Sequence, residues 1–173
     1  MTRIETPPDL EAPTYGLGAW TLADLLASSD SSEVDERLRA IDADVLALEG
    51  WRERLPRLDA KGLAELLEQY ERAAERMSIL GGYASLRFSE DTQSTIALTL
   101  RNRVHQALTG AENRLLFLGL WWKGLDDTEA ERLLAGLVDV GAGPDRLHFL
   151  RDLRRLRPHT LEETSEQLIN LKD

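Results

Sequence analysis

From Ile96 to Trp122 apolar residues recur at helical spacing: Ile96, Leu100, Val104, Ala107, Ala111, Leu115, Leu118 and Trp122. Unbroken, this run makes a helix of about 30 residues, on the order of 45 Å long at 1.5 Å per residue. A compact globule of comparable chain length is only about 40 Å across. A helix of that length forces its neighbours to lie alongside it, so the run predicts an elongated bundle.

A second run supports this reading. Leu63, Leu66, Leu67, Tyr70, Ala74, Met77 and Leu80 mark one face of a helix that starts near Asp59 and passes Gly81-Gly82 to about Phe88. Each helical glycine costs about 1 kcal/mol relative to alanine. With Ala84 and Ser85 the two glycines offer a small-residue surface for close helix approach, or else a break. The long third helix then begins near Asp91 or Thr92.

Before these two, Val34, Leu38, Ile41, Val45, Leu48 and Leu55 form a stripe that Pro56 ends, with Ser31 or Ser32 as N-cap. Trp20 to Ala27 predicts one or two helical turns. After them, Asp126 to Val138 predicts a short helix stopped by Gly141. Gly143-Pro144 opens another, which Pro158 closes. Thr160 and Glu163 have capping-box spacing and open a last helix bearing Leu161, Leu168, Ile169 and Leu171. No strand-like alternation of useful length occurs. The class is all-α: long antiparallel helices with shorter C-terminal ones. Residues 1–19 are expected as an extended arm, 20–158 as the helical domain and 159–173 as the start of a connecting helix.

Charge narrows the partners. The 173-residue chain has a formal net charge of −10, which argues against nucleic acid. Asp30 to Glu49 holds seven acidic residues against two arginines, and Pro144 to Pro158 five arginines against two aspartates. Such blocks are expected as solvated helix faces. No apolar run approaches a membrane span, and MTRIETPPDLEAP lacks the apolar core of a secretory signal. There is no cysteine, hence no disulfide or thiolate metal site, which fits a cytoplasmic protein.

The residues alone spell out no active site. Of the three histidines, His105, His148 and His159, none has a second histidine one turn away, and no H-E-x-x-H is present. His148 can share a helix face with Asp145 and Asp152, a weak candidate for a metal or hydrolytic site beside the simpler reading of a surface histidine. No G-x-S-x-G elbow occurs, and Gly141-Ala142-Gly143 lacks the lysine of a phosphate loop. NRLLFLGLWWKGL, Asn113 to Leu125, is apolar nearly all round. Either the chain's own last helices wrap it, or Phe117, Trp121 and Trp122 form an interdomain or self-association surface. The second case predicts dye binding and homodimers through the tryptophans.

Three runs, GYASLRFSEDTQS from Gly82 to Ser94, NRLLFLGLWWKGLDD from Asn113 to Asp127, and RPHTLEETSEQLINLKD from Arg157 to Asp173, together resemble the N-terminal helical region of the oligoendopeptidase F family. These are zinc metallopeptidases related to the thimet oligopeptidases. The match is strong from about Gly81 onward and weaker from Trp20 to Leu80.

The resemblance implies a helical domain that helps wall a deep channel, so that short peptides enter and folded proteins do not. In the family, zinc is held by the two histidines of H-E-x-x-H and a downstream glutamate, and the motif glutamate activates water. None of those positions lies in this sequence. No catalytic, cofactor-binding or metal residue is therefore assigned: this chain alone is expected to be inactive and free of catalytic zinc, and the parent protein to be the enzyme. On this reading Asp173 is a cut and the catalytic domain of the same chain is the partner. A free-standing helical interaction domain is the alternative.

Overall fold

The computed structural model describes residues 21–26 and 31–170; the expected arm at 1–19 lies outside the described residues. Six α-helices follow in order: α1 (Ser31–Glu49), α2 (Ala60–Glu90), α3 (Thr95–Gly124), α4 (Asp127–Asp139), α5 (Pro144–Arg155) and α6 (Glu163–Asn170). No strand occurs among the described residues.

Local chemistry places most of the helix ends. Asp59 caps α2, its carboxylate accepting the Gly62 N–H at 2.7 Å. Asp126 does the same for α4 through the Glu129 N–H at 2.8 Å. Pro144 stands in the first turn of α5, where its missing N–H costs nothing. α4 ends where Gly141 takes φ +80°, a left-handed conformation that glycine adopts without strain.

The three long helices pack up-down-up. Asp44 of α1 reaches Arg76 of α2 at 2.8 Å and Trp51, just past α1, reaches back to Gln69 of α2, while Asp35 pairs with Arg103 and Glu49 with Arg114 further along α3. α1 therefore runs antiparallel to α2 and parallel to α3. Their shared core includes Val34, Val45, Leu48, Leu80 and Val104, each at most 1% exposed. Burying side chains of this size contributes about 1.5–3 kcal/mol each.

α4 lies on the start of α2, so closely that a Cβ on Gly136 would stand 2.5 Å from the Ala60 Cβ. α5 and α6 both pack on α3, near the end where α4 also sits. Ahead of α1, the Leu25 and Leu26 N–H groups bond the Leu22 carbonyl in a single turn that buries Leu26.

α2 runs unbroken through Gly81-Gly82, as expected, and ends at Glu90. Several other expectations need correction. α3 starts at Thr95, capped by Ser94, because Asp91 is extended and its carboxylate turns the chain by accepting the Gln93 N–H. Ile96 is 82% exposed and Ala97 takes the inward place. Ala97 lies seven residues from Val104, about 20° round the helix, whereas Ile96 lies about 80° off that face. Ala107 is likewise exposed, and Leu108 is the half-buried neighbour.

α1 stops at Glu49 rather than at Pro56. A turn then folds Trp51 inward, where its Nε1–H donates to Gln69 Oε1 at 2.9 Å, and Pro56 sits in a 3-10 turn, Leu55–Arg57. The Thr160–Glu163 capping box does not form. A 3-10 turn over Arg157–His159 aims the Thr160 hydroxyl back at the Leu156 carbonyl, and the Leu161 N–H donates to Glu166 instead.

The acidic block of α1 is not simply solvated. Asp35, Asp42, Asp44 and Glu49 meet arginines of α2 and α3. The hydrogen bond from Arg114 holds the Glu49 carboxyl below its usual pKa. A lowered carboxyl stabilises the fold above its unfolded pKa of about 4.3 and loses that contribution as pH falls through the folded value. Both partners are about one-third exposed, which limits the pair to about 1 kcal/mol. Arg114→Met should therefore lower stability by about 1 kcal/mol at neutral pH, with the difference shrinking below about pH 4 in denaturant titrations. Gly136→Ala should destabilise by about 1–3 kcal/mol despite alanine's helix propensity, because α4 must move off Ala60.

Candidate functional site

The histidine cluster does not assemble into a site. His148 Nε2 lies 3.0 Å from Asp152 Oδ2, but the His148 side chain is 75% exposed and Asp152 also pairs with Arg155 at 2.8 Å. His105 and His159 are exposed on α3 and on the 3-10 turn. Among the described residues no group of three or more histidines, aspartates or glutamates is placed to hold a metal ion.

The tryptophan segment forms the end of α3, and the structure separates its three aromatic members. Trp122 is 2% exposed, and its Nε1–H donates to the Leu150 carbonyl of α5 at 2.8 Å. Phe117 is 4% exposed beneath the Arg52 guanidinium, 4.0 Å from the ring centroid. Arg52 also reaches Glu163 of α6 at 3.4 Å. Arg154 closes α3 by donating to the carbonyls of Trp122 and Leu125 at 3.0 and 3.2 Å, satisfying acceptors that a helix end leaves open. The chain's own helices thus cover Phe117 and Trp122. Trp121 is half-buried and turns the other way, its ring tilted 52° from that of Trp122.

Trp121 borders a groove of about 720 Å3 on the side of the α2–α3 pair away from α1. One wall is α2, with Tyr70, Ala74, Met77, Gly81 and Gly82. The facing wall is α3, with Leu108, Glu112, Leu116 and Gly119 beside Trp121. α5 adds Phe149 and Leu153 at one end, and α6 adds Glu166 and Asn170. Tyr70 stacks on Phe149 with centroids 6.2 Å apart. The floor is apolar.

Three charged side chains border it: Glu112 and Glu166 against Lys123. Burial pushes the Tyr70 phenol above its usual pKa, and the Glu112 charge adds to the shift. Two carboxylates against one ammonium thus border an apolar floor. Asn170 Nδ2 donates to Asn113 Oδ1 at 2.9 Å, fixing α6 along the rim.

Reasoning from residues alone missed the groove and placed Ala74 on the core face. In the structure Ala73 is buried there and Ala74 lines the groove. The available signal was the small-residue stretch on α2. Gly81 does admit a close neighbour, since a Cβ there would lie 3.1 Å from Leu108 Cδ1. No described helix is long and apolar enough to cross a membrane.

Comparison with protein-family models, with curated proteins and with solved structures finds no match to this chain.

The Trp122–Leu150 hydrogen bond decides which tryptophan is held inside. Trp122→Phe should cost about 1–3 kcal/mol by removing this buried hydrogen bond and leaving space where the larger ring stood. Trp121→Phe should cost clearly less in the same urea titration, since that side chain is only partly buried.

Proposed function

We propose that this chain is the N-terminal helical domain of a zinc oligoendopeptidase, a channel wall that governs substrate access and supports the catalytic domain. One observation carries the reading: the three sequence runs that resemble the family meet on one surface. Gly82 comes from the first run, Gly119 and Trp121 from the second, and Glu166 and Asn170 from the third, and all line the same groove. Runs so far apart in sequence have a common purpose if they build one face. A face that joins a second domain, or borders a peptide channel, needs an apolar floor with a few polar groups at its edge.

The zinc, the H-E-x-x-H helix and the catalytic glutamate belong to the parent protein, and no residue of this chain is assigned to them. The substrates of that parent are short peptides. The wall excludes folded proteins by shape alone.

A second reading, a free-standing helical interaction domain, draws on α6. Leu161, before this helix, is 51% exposed, and Leu168 and Ile169 on it are 64% and 45% exposed. Such a domain would bind a partner protein without any catalysis.

The reading frame separates the two. It should continue past Asp173 into an H-E-x-x-H segment, and its full product should hydrolyse short peptides in a zinc-dependent manner. The 173-residue chain alone should hydrolyse none. A stop codon directly after Asp173 contradicts the peptidase reading and leaves the interaction domain.

A further inference from the structure

We infer that the α2–α3 groove seats an amphipathic α-helix carrying basic residues beside its apolar face. This deepens the reading above and rests on it in taking the groove as the face that another structural unit covers.

Length and shape point to a helix. Along α2 the groove lining runs from Leu63 to Gly82; α5 lies over its buried Leu63 end, and about 18 Å, from Tyr70 to Gly82, extends beyond it, about three turns of an added helix. Its walls are two antiparallel helices, and the ridges of such a pair accept a third helix between them. The walls' backbone groups are bonded within their own helices, so an extended peptide laid on this floor would find few partners for its own N–H and C=O groups. A helix satisfies those groups internally.

Two glycines support the same occupant. Gly82 and Gly119 line the groove, and a Cβ built on either meets nothing within 4 Å. Glycine is disfavoured inside a helix, and no neighbour among the described residues requires it at these places. A backbone approaching between α2 and α3 would require it.

Charge selects the flank. Glu112 and Glu166 outweigh Lys123 around the groove, within a chain of net charge −10. Carboxylates at the edge of an apolar floor favour a cationic partner and disfavour an anionic one.

Calorimetry on the 173-residue protein tests this with synthetic peptides of about eighteen residues, long enough to span the three open turns with a further turn at each end. One has leucines on one face and lysines on the other, the second replaces the lysines with glutamates, and the third is a proline-containing scramble of the first. The leucine–lysine helix should bind one to one, at least about tenfold more tightly than either of the others. Gly119→Leu should weaken it about tenfold by filling the groove, with helix content unchanged by circular dichroism. Gly110→Leu should not, because Gly110 has the same open Cβ position on α3 outside the groove. Glu112→Gln should weaken binding severalfold.

Equal binding of the glutamate peptide overturns the charge selection, and equal binding of the scramble overturns the helix. Unchanged binding by the Gly119→Leu variant overturns the site. A dimer of this chain that Gly119→Leu dissociates makes a second copy the occupant and also overturns it. These outcomes are independent of the reading frame: a missing H-E-x-x-H removes the peptidase, whereas failed peptide binding removes only the occupant.

Discussion

Everything in this structure depends on pairing two helices of 31 and 30 residues, α2 and α3. Such a pair buries one stripe of each partner and leaves two broad flanks to be covered. α1, with 19 residues, covers one flank. On the other, α5 and α6 cover the region near Trp122, and the remainder is the groove. The groove is thus a consequence of unequal helix lengths and of one flank having shorter helices.

Ion pairs set the register of this arrangement more than its stability. Arg76, Arg103 and Arg114 fix α1 against α2 and α3, while Arg146 reaches Glu71 at 2.7 Å and fixes α5 against α2. Exposed pairs of this kind contribute about 0–1 kcal/mol each. A slip of α1 by one turn would nevertheless separate all of its partners together. The buried polar contact at Trp122 works differently. Its partner is a backbone carbonyl, so it fixes which face of the tryptophan pair turns inward.

Features governed by neighbouring residues were legible in the sequence. The helix starts near Asp59 and Asp126, the stop at Gly141 and the start at Pro144 depend on residues within a few positions of the backbone they satisfy. So was the all-α class, because the apolar stripes repeat over many turns. The phase of α3 at Ile96 was not, since one residue of offset rotates a side chain by about 100°. The inward turn of Trp51 depends on Gln69, and the split between Trp121 and Trp122 depends on Leu150, both distant in sequence. The Thr160 cap failed for a local reason that composition does not show: the 3-10 turn over Arg157–His159 brings the Leu156 carbonyl, four residues back, to its hydroxyl. The groove needed the position of α1, which no local pattern contains.

The central claim is that a second structural unit covers the groove face. Radical footprinting of tryptophan side chains tests it directly, comparing the 173-residue chain with the product of the full reading frame. Trp121 should be labelled in the short chain and protected in the full product, while Trp122 stays protected in both. Equal labelling of Trp121 in the two proteins would contradict the claim.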